Sequence, residues 1–246
     1  MHRVFLALIA FMGLAAEGAA AAERVDLELV FLADASRSID DGEIRLQRRG
    51  YAEAITHPEI LAAISSGYER KIAVTYVEWG DETSQEVVVP WTVVDGAGAA
   101  AAFAKDLLAA PRIAFGPNAI GSALAAAHAL IASNAIESTR QVIDFSGDSA
   151  YSFGGVPIYQ ARAAALAAGM TINGLAVLCL TCDGRPIDYD LEAAFTELII
   201  GGPGSFVITA DGNASFAEAV RRKLLLEVAG GPGAAPSGRL AGLKVR

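Results

Sequence analysis

Soft and borderline metal ligands are scarce in this chain: two cysteines and three histidines in 246 residues. His2 lies in a segment that reads as cleaved, which leaves His57 and His128, and no zinc-like spacing surrounds either. Cys179 and Cys182 form a lone C-x-x-C followed by Asp183-Gly184, a turn rather than a helix start. That context favours a disulfide closing a tight loop over a thioredoxin-like redox pair. No G-x-S-x-G occurs, and with so few histidines a serine hydrolase would lack its base. Positive charge is also short, with 19 Lys and Arg against 28 Asp and Glu, a net charge of −9 and a pI near 4.8. Nucleic acid and anionic lipid are therefore poor partners, whereas cations or basic partners suit such a surface.

What is present is mostly apolar. A hydrophobic content of 53% and a mean hydropathy of +0.40 are enough for a full core and exclude a disordered chain. The amino terminus carries Arg3, an apolar run from Val4 to Ala16, and the small residues Ala20-Ala21-Ala22. This is the pattern of a secretory signal peptide over residues 1–22, with an apolar run too short for a bilayer span. No cysteine sits near the cleavage point for lipid attachment, so an exported protein is expected, most simply periplasmic. Losing residues 1–22 removes one Arg and one Glu and leaves the net charge at −9. Residues 23–229 are expected to form one domain, followed by a disordered Gly-, Pro- and Ala-rich tail over 230–246.

The chain is organised around Leu29 to Ser38, LVFLADASRS, an apolar strand that ends in Asp34, Ser36 and Ser38. A continuous apolar run of this length fits a strand buried on both faces of a mostly parallel sheet. Such sheets bind ligands beyond the carboxyl ends of their strands. One carboxylate and two hydroxyls at that place are hard oxygen donors, suited to Mg²⁺ or Ca²⁺ rather than zinc. Asp40 to Thr56 reads as a helix, and Pro58 separates it from a further turn or two. Lys71 to Trp79 and Gln85 to Val94 are strands joined too closely for a crossover, hence an antiparallel hairpin, with Pro90 placing the second at a sheet edge. Helices are predicted over 98–110, 118–133 (with Asn118 as N-cap), 157–168, 190–198 and 216–228, and strands over 141–146, 171–180 and 205–209. His128 reads as a core histidine, Asp144 as a buried, hydrogen-bonded group, and Trp79 and Trp91 as packing beside the hairpin. The alternation of elements predicts a doubly wound α/β sheet of about six strands with helices on both faces.

With that order the chain resembles a von Willebrand factor type A (vWA) domain over roughly residues 25–229, in an exported bacterial branch of that superfamily. The family's metal-ion-dependent adhesion site (MIDAS) has D-x-S-x-S after the first strand, matched by Asp34, Ser36 and Ser38. Its helix-start motif T-x-x-G-x-A-L aligns with Asn118 to Leu124, so Asn118 stands where the family has Thr. The usual Thr-Asp-Gly aligns with Ser146-Gly147-Asp148-Ser149, making Asp148 the equivalent after a one-residue insertion. The resemblance implies a Rossmann-like fold and a Mg²⁺ (or Mn²⁺/Ca²⁺) site formed by Asp34, Ser36, Ser38, Asn118 and Asp148. It further implies a non-enzymatic module that engages an Asp or Glu carboxylate of a protein partner.

Other readings stay open at this point. Ser38 could simply cap the following helix, with Asp41 three residues on. Asn118 could serve only as a cap, leaving a metal-free vWA scaffold. An Asp after the first strand also resembles haloacid-dehalogenase-like phosphatases, but their second Asp would fall where this chain has Ser36.

Overall fold

A computed structural model describes residues 22–178, 189–211 and 213–231. The predicted signal peptide, the Cys179–Cys182 pair and most of the predicted tail lie outside the described residues. In chain order the elements are β1 (Glu23–Val25), β2 (Glu28–Asp34), α1 (Asp41–Thr56), α2 (Pro58–Ser65), β3 (Ile72–Trp79), β4 (Gln85–Val94), α3 (Ala97–Ala109) and α4 (Ile120–Ser133). They continue as β5 (Ile136–Ser138), β6 (Gln141–Gly147), α5 (Ile158–Ala167), β7 (Thr171–Val177), α6 (Leu191–Leu198), β8 (Val207–Ala210) and α7 (Asn213–Ala229).

Six strands form the main sheet in the order β4-β3-β2-β6-β7-β8. All neighbours are parallel except β3 and β4, the expected hairpin at the edge. Pro90 lies where the β3–β4 register slips, between the pairs Val74–Thr92 and Tyr76–Val89. A residue without an N–H is tolerated at such an irregular edge.

Every residue of β2 is buried, and strand alternation sorts its side chains onto two cores. Leu29, Phe31 and Ala33 pack with Tyr51 and Ile55 of α1, Phe103 of α3 and Leu224 of α7. Val30 and Leu32 pack with Ile120 and Leu124 of α4, Ala161 of α5 and Phe195 of α6. Trp79, fully buried, stacks on Phe145 at 5.3 Å between ring centroids, and the half-buried Trp91 packs against the same core. Both sheet faces are therefore covered, as the uninterrupted apolar strands require. Among the described residues no helix is long and apolar enough to cross a membrane.

Three details depart from the sequence expectation. β1 and β5, three residues each, pair in parallel as a separate two-stranded sheet too short to leave a periodic signal. His128 is half-buried rather than a core residue. Asn118 does not cap its helix: the N-cap is Ala119, without any side-chain cap bond, and α4 starts at Ile120.

β2 sits where the strand order reverses, because the chain runs outward through β3 and β4 and later returns to the other side of β2 with β6. The carboxyl ends of β2 and β6 thus open a crevice at the top of the sheet.

Candidate metal centre

Asp34 is the last residue of β2, and the chain turns immediately after it. Its carboxylate Oδ1 accepts the Ser36 N–H at 2.8 Å, and its carbonyl accepts from Gln47 Nε2 of α1 at 3.0 Å. Ser36 Oγ and Ser38 Oγ lie 3.3 Å apart. Ser38 Oγ donates to Asp148 Oδ1 at 3.1 Å across 110 residues of sequence. One chain of polar contacts thus joins the turn after β2 to the turn after β6.

Ser38 does not act as a helix cap. That position is taken by Asp40, whose side chain accepts the Glu43 N–H at 2.9 Å while Glu43 Oε2 accepts the Asp40 N–H at 2.8 Å. This reciprocal box stabilises the start of α1 by about 1 kcal/mol, and it leaves both serine hydroxyls for the crevice.

Asn118 is placed by its backbone. Ala119 N–H donates to Gly80 O at 2.9 Å, and Phe153 N–H donates to Asn118 O at 2.5 Å. Its side chain is buried and Oδ1 has no hydrogen-bond partner. No hydrogen bond ties it to the other four predicted residues, although its loop touches theirs where Arg37 N–H donates to Gly116 O at 2.8 Å. Gly121 of the aligned motif is sterically required, since a Cβ there would lie 1.8 Å from Val156 O. The start of α4 is therefore pressed against the segment that follows Asp148.

The electrostatics of this crevice are unbalanced. Asp34, Ser36 and Ser146 are each 1% exposed and Asp148 8%. Asp34 Oδ2 and Ser146 Oγ are buried without hydrogen-bond partners. Burial, and next the nearby Asp148 carboxylate, push the Asp34 pKa up to about 8, against the Ser36 and Asp148 backbone N–H groups that favour its charge. Buried polar groups are normally satisfied. Two buried carboxyl groups, neighbouring hydroxyls and an orphaned carboxylate oxygen make a donor set lacking only positive charge, and they fit a hard divalent cation. Among the described residues there is no cluster of three or more His, Cys, Asp or Glu that could hold a metal. A zinc-type or carboxylate-rich site is thus absent from them, and an oxygen site here must draw on hydroxyls.

Arg112 was not legible as part of this site. One guanidinium nitrogen donates to both Ala35 O and Ile39 O at 2.9 Å, on either side of the two serines. The other meets Asp41 Oδ1 at 2.9 Å, and the group lies 4.7 Å over the Phe115 ring. Arg48 holds the segment that carries Arg112, donating to Ala110 O and Pro111 O while paired with buried Glu78 at 2.7 Å. Both arginines act on main-chain carbonyls, which have no signature in sequence. Asp144 is buried as expected, but its partner is Lys223 of α7, with Nζ 2.7 Å from Oδ1.

A family model described as "Protein of unknown function (DUF1194)" matches residues 24–232. Comparison with curated proteins gives no match. Among solved structures, the pilus adhesin SpaC of Lactobacillus rhamnosus GG superposes with a TM-score of 0.58 at 12% identity, covering 85% of this chain and 32% of that one. Proximal thread matrix protein 1 from the mussel byssus gives 0.58 at 15% identity, covering 85% and 49%, and one of its structures has a zinc-occupied MIDAS motif. A von Willebrand factor type A protein from Catenulispora acidiphila gives 0.56 at 16% identity, covering 83% and 43%. The present chain thus spans a third to a half of the length of these structures. The strand order, the crevice and these matches converge: the chain belongs to the DUF1194 family, and its fold is that of a vWA domain.

Proposed function

We propose that this protein is an exported, non-enzymatic binding module that holds a divalent cation at the crevice and uses it to engage a partner protein. Asp34, Ser36, Ser38, Asp148 and Asn118 are its ligands, directly or through water, and Mg²⁺ is the expected ion, with Mn²⁺ or Ca²⁺ as alternatives. Residues 1–22 serve as the export signal, residues 23–229 as the binding domain and residues 230–246 as a tail.

The observation that carries the reading is the continuous contact Ser36–Ser38–Asp148 beside the orphaned, buried Asp34 Oδ2. Mg²⁺ takes roughly six oxygens and keeps some water. With only two carboxyl groups supplied by the chain, a bound ion would retain positive charge and a position that an Asp or Glu of the partner can fill. None of these residues is arranged as a nucleophile with its base.

Calorimetric titration of the chelator-stripped full chain with Mg²⁺ and Mn²⁺ tests the proposal. A saturable one-site isotherm in the wild type, lost in Asp34→Ala, is expected. Identical flat traces from both proteins would show a vWA scaffold that works without metal.

A further inference from the structure

Beside the metal loop lies a groove of about 410 Å³ between α1 and the end of α3, lined by Arg45, Arg48, Arg49 and Arg112 together with Asp41 and Leu108. In a chain with a net charge of −9, four arginines facing one groove is a concentration that composition does not explain. Two are neutralised locally, Arg48 by Glu78 and Arg112 by Asp41. Arg45 and Arg49, one helical turn apart and exposed, have no carboxylate partner among the described residues. The groove therefore carries net positive charge.

Its position matters as much as its sign. The guanidinium of Arg112 lines the groove and also bonds the carbonyls of Ala35 and Ile39 that flank Ser36 and Ser38. One side chain thus spans the distance from the groove to the metal loop. An extended peptide rises about 3.3 Å per residue, so a few residues bridge the two. Leu108 is 54% exposed in the lining and adds an apolar wall.

The geometry points to an acidic segment as the partner's recognition element: one carboxylate faces the metal crevice, and further Asp or Glu residues a few positions along lie in the arginine groove. This rests on the metal-dependent reading above and narrows it from any exposed carboxylate to an acidic run. Arginine suits such a groove because its planar fork can meet a carboxylate with two parallel hydrogen bonds.

The test uses the full chain, a fluorescent hexaglutamate peptide and a control peptide carrying a single Glu among Gly and Ser, in Mg²⁺ and in chelator. Hexaglutamate is expected to bind more tightly than the control and to weaken steeply between 50 and 300 mM salt. In Arg45→Gln/Arg49→Gln that advantage should fall roughly five- to tenfold, the scale of two exposed charge pairs. The calorimetric Mg²⁺ isotherm of this double variant should stay within about twofold of wild type, because neither arginine touches the site. Equal affinity of the two peptides, or hexaglutamate binding unchanged in the double variant, overturns the groove while leaving the metal site intact. Hexaglutamate binding that needs the arginines but not Mg²⁺ supports the groove and removes the metal from the account. Preference for anionic phospholipid vesicles over hexaglutamate overturns the acidic-peptide assignment.

Discussion

Asp34→Asn is expected to stabilise the metal-free protein at pH 8 and to abolish its response to Mg²⁺. In the folded chain burial and Asp148 hold the Asp34 pKa up at about 8, against 3.8 for an ordinary Asp. Between those values the folded state keeps a proton that the unfolded state has released, so stability is greatest at low pH and declines as pH rises toward 8. The decline from this one group has a slope of order 1 kcal/mol per pH unit. An Asn of the same shape still accepts the Ser36 N–H but carries no charge, so its contribution to the slope disappears. A divalent cation acts in the opposite direction on the wild type, by favouring the ionised carboxylate. At a hundred times its dissociation constant it should add about 2.7 kcal/mol to wild-type stability and nothing to Asp34→Asn. Urea unfolding at pH 5.5 and 8, each with chelator or Mg²⁺, reads all of these effects. If the variant is no more stable than wild type at pH 8 in chelator, the electrostatic strain in the crevice is absent.

Lys223→Met is expected to cost about 3–5 kcal/mol, the price of removing one partner from a buried ionic cluster. Lys223 is fully buried, with Nζ 2.7 Å from Asp144 Oδ1 and 2.5 Å from Glu227 Oε1. Asn173 Nδ2 also donates to Glu227 Oε1 at 3.0 Å, and Tyr51 OH donates to Asp144 Oδ1 at 3.2 Å. Burial and Asp144 already push the Glu227 pKa up to about 8, against Lys223 and, after it, the Asn173 amide. Without the lysine two buried carboxyl groups face each other unscreened. The loss should shrink at low pH, where Glu227 is protonated, and the triple variant Lys223→Met/Asp144→Asn/Glu227→Gln should recover most of it. A Lys223→Met protein as stable as wild type at pH 8 would show that the cluster does not hold α7 on the sheet.

These two predictions also mark what the sequence could and could not disclose. The Asp-Ser-Ser turn was legible because an apolar strand stopping at alternating oxygen side chains is a local pattern. The hairpin was legible because its connection is too short to cross over, and Pro90 marked the edge by lacking a donor. Asp148 could be aligned despite the extra residue in Ser146-Gly147-Asp148, because it still follows the next strand of the sheet.

Lys223, in contrast, reads as one of three consecutive basic residues on an amphipathic helix, and its carboxylate partner Asp144 is 79 positions away. Only packing of α7 against β6 reveals that it points inward while Arg222 is exposed. Arg112 and Arg48 hold their loops by main-chain carbonyls, which every residue possesses. Asn118 misled for a related reason. Asn after Pro117 satisfies the local preference for a cap, yet the backbone bonds to Gly80 and Phe153 set the cap one residue later, at Ala119.

In the proposed site, oxygens from the turns after β2 and β6 hold one hard cation together. Anomalous scattering from crystals of the chelator-stripped protein grown in Mn²⁺ tests it directly. A single strong peak in the crevice is expected, within about 2.6 Å of Ser36 Oγ and of an Asp148 or Asp34 oxygen or their shared water. A crevice with no anomalous peak at saturating Mn²⁺, or a peak held by residues elsewhere, would contradict it.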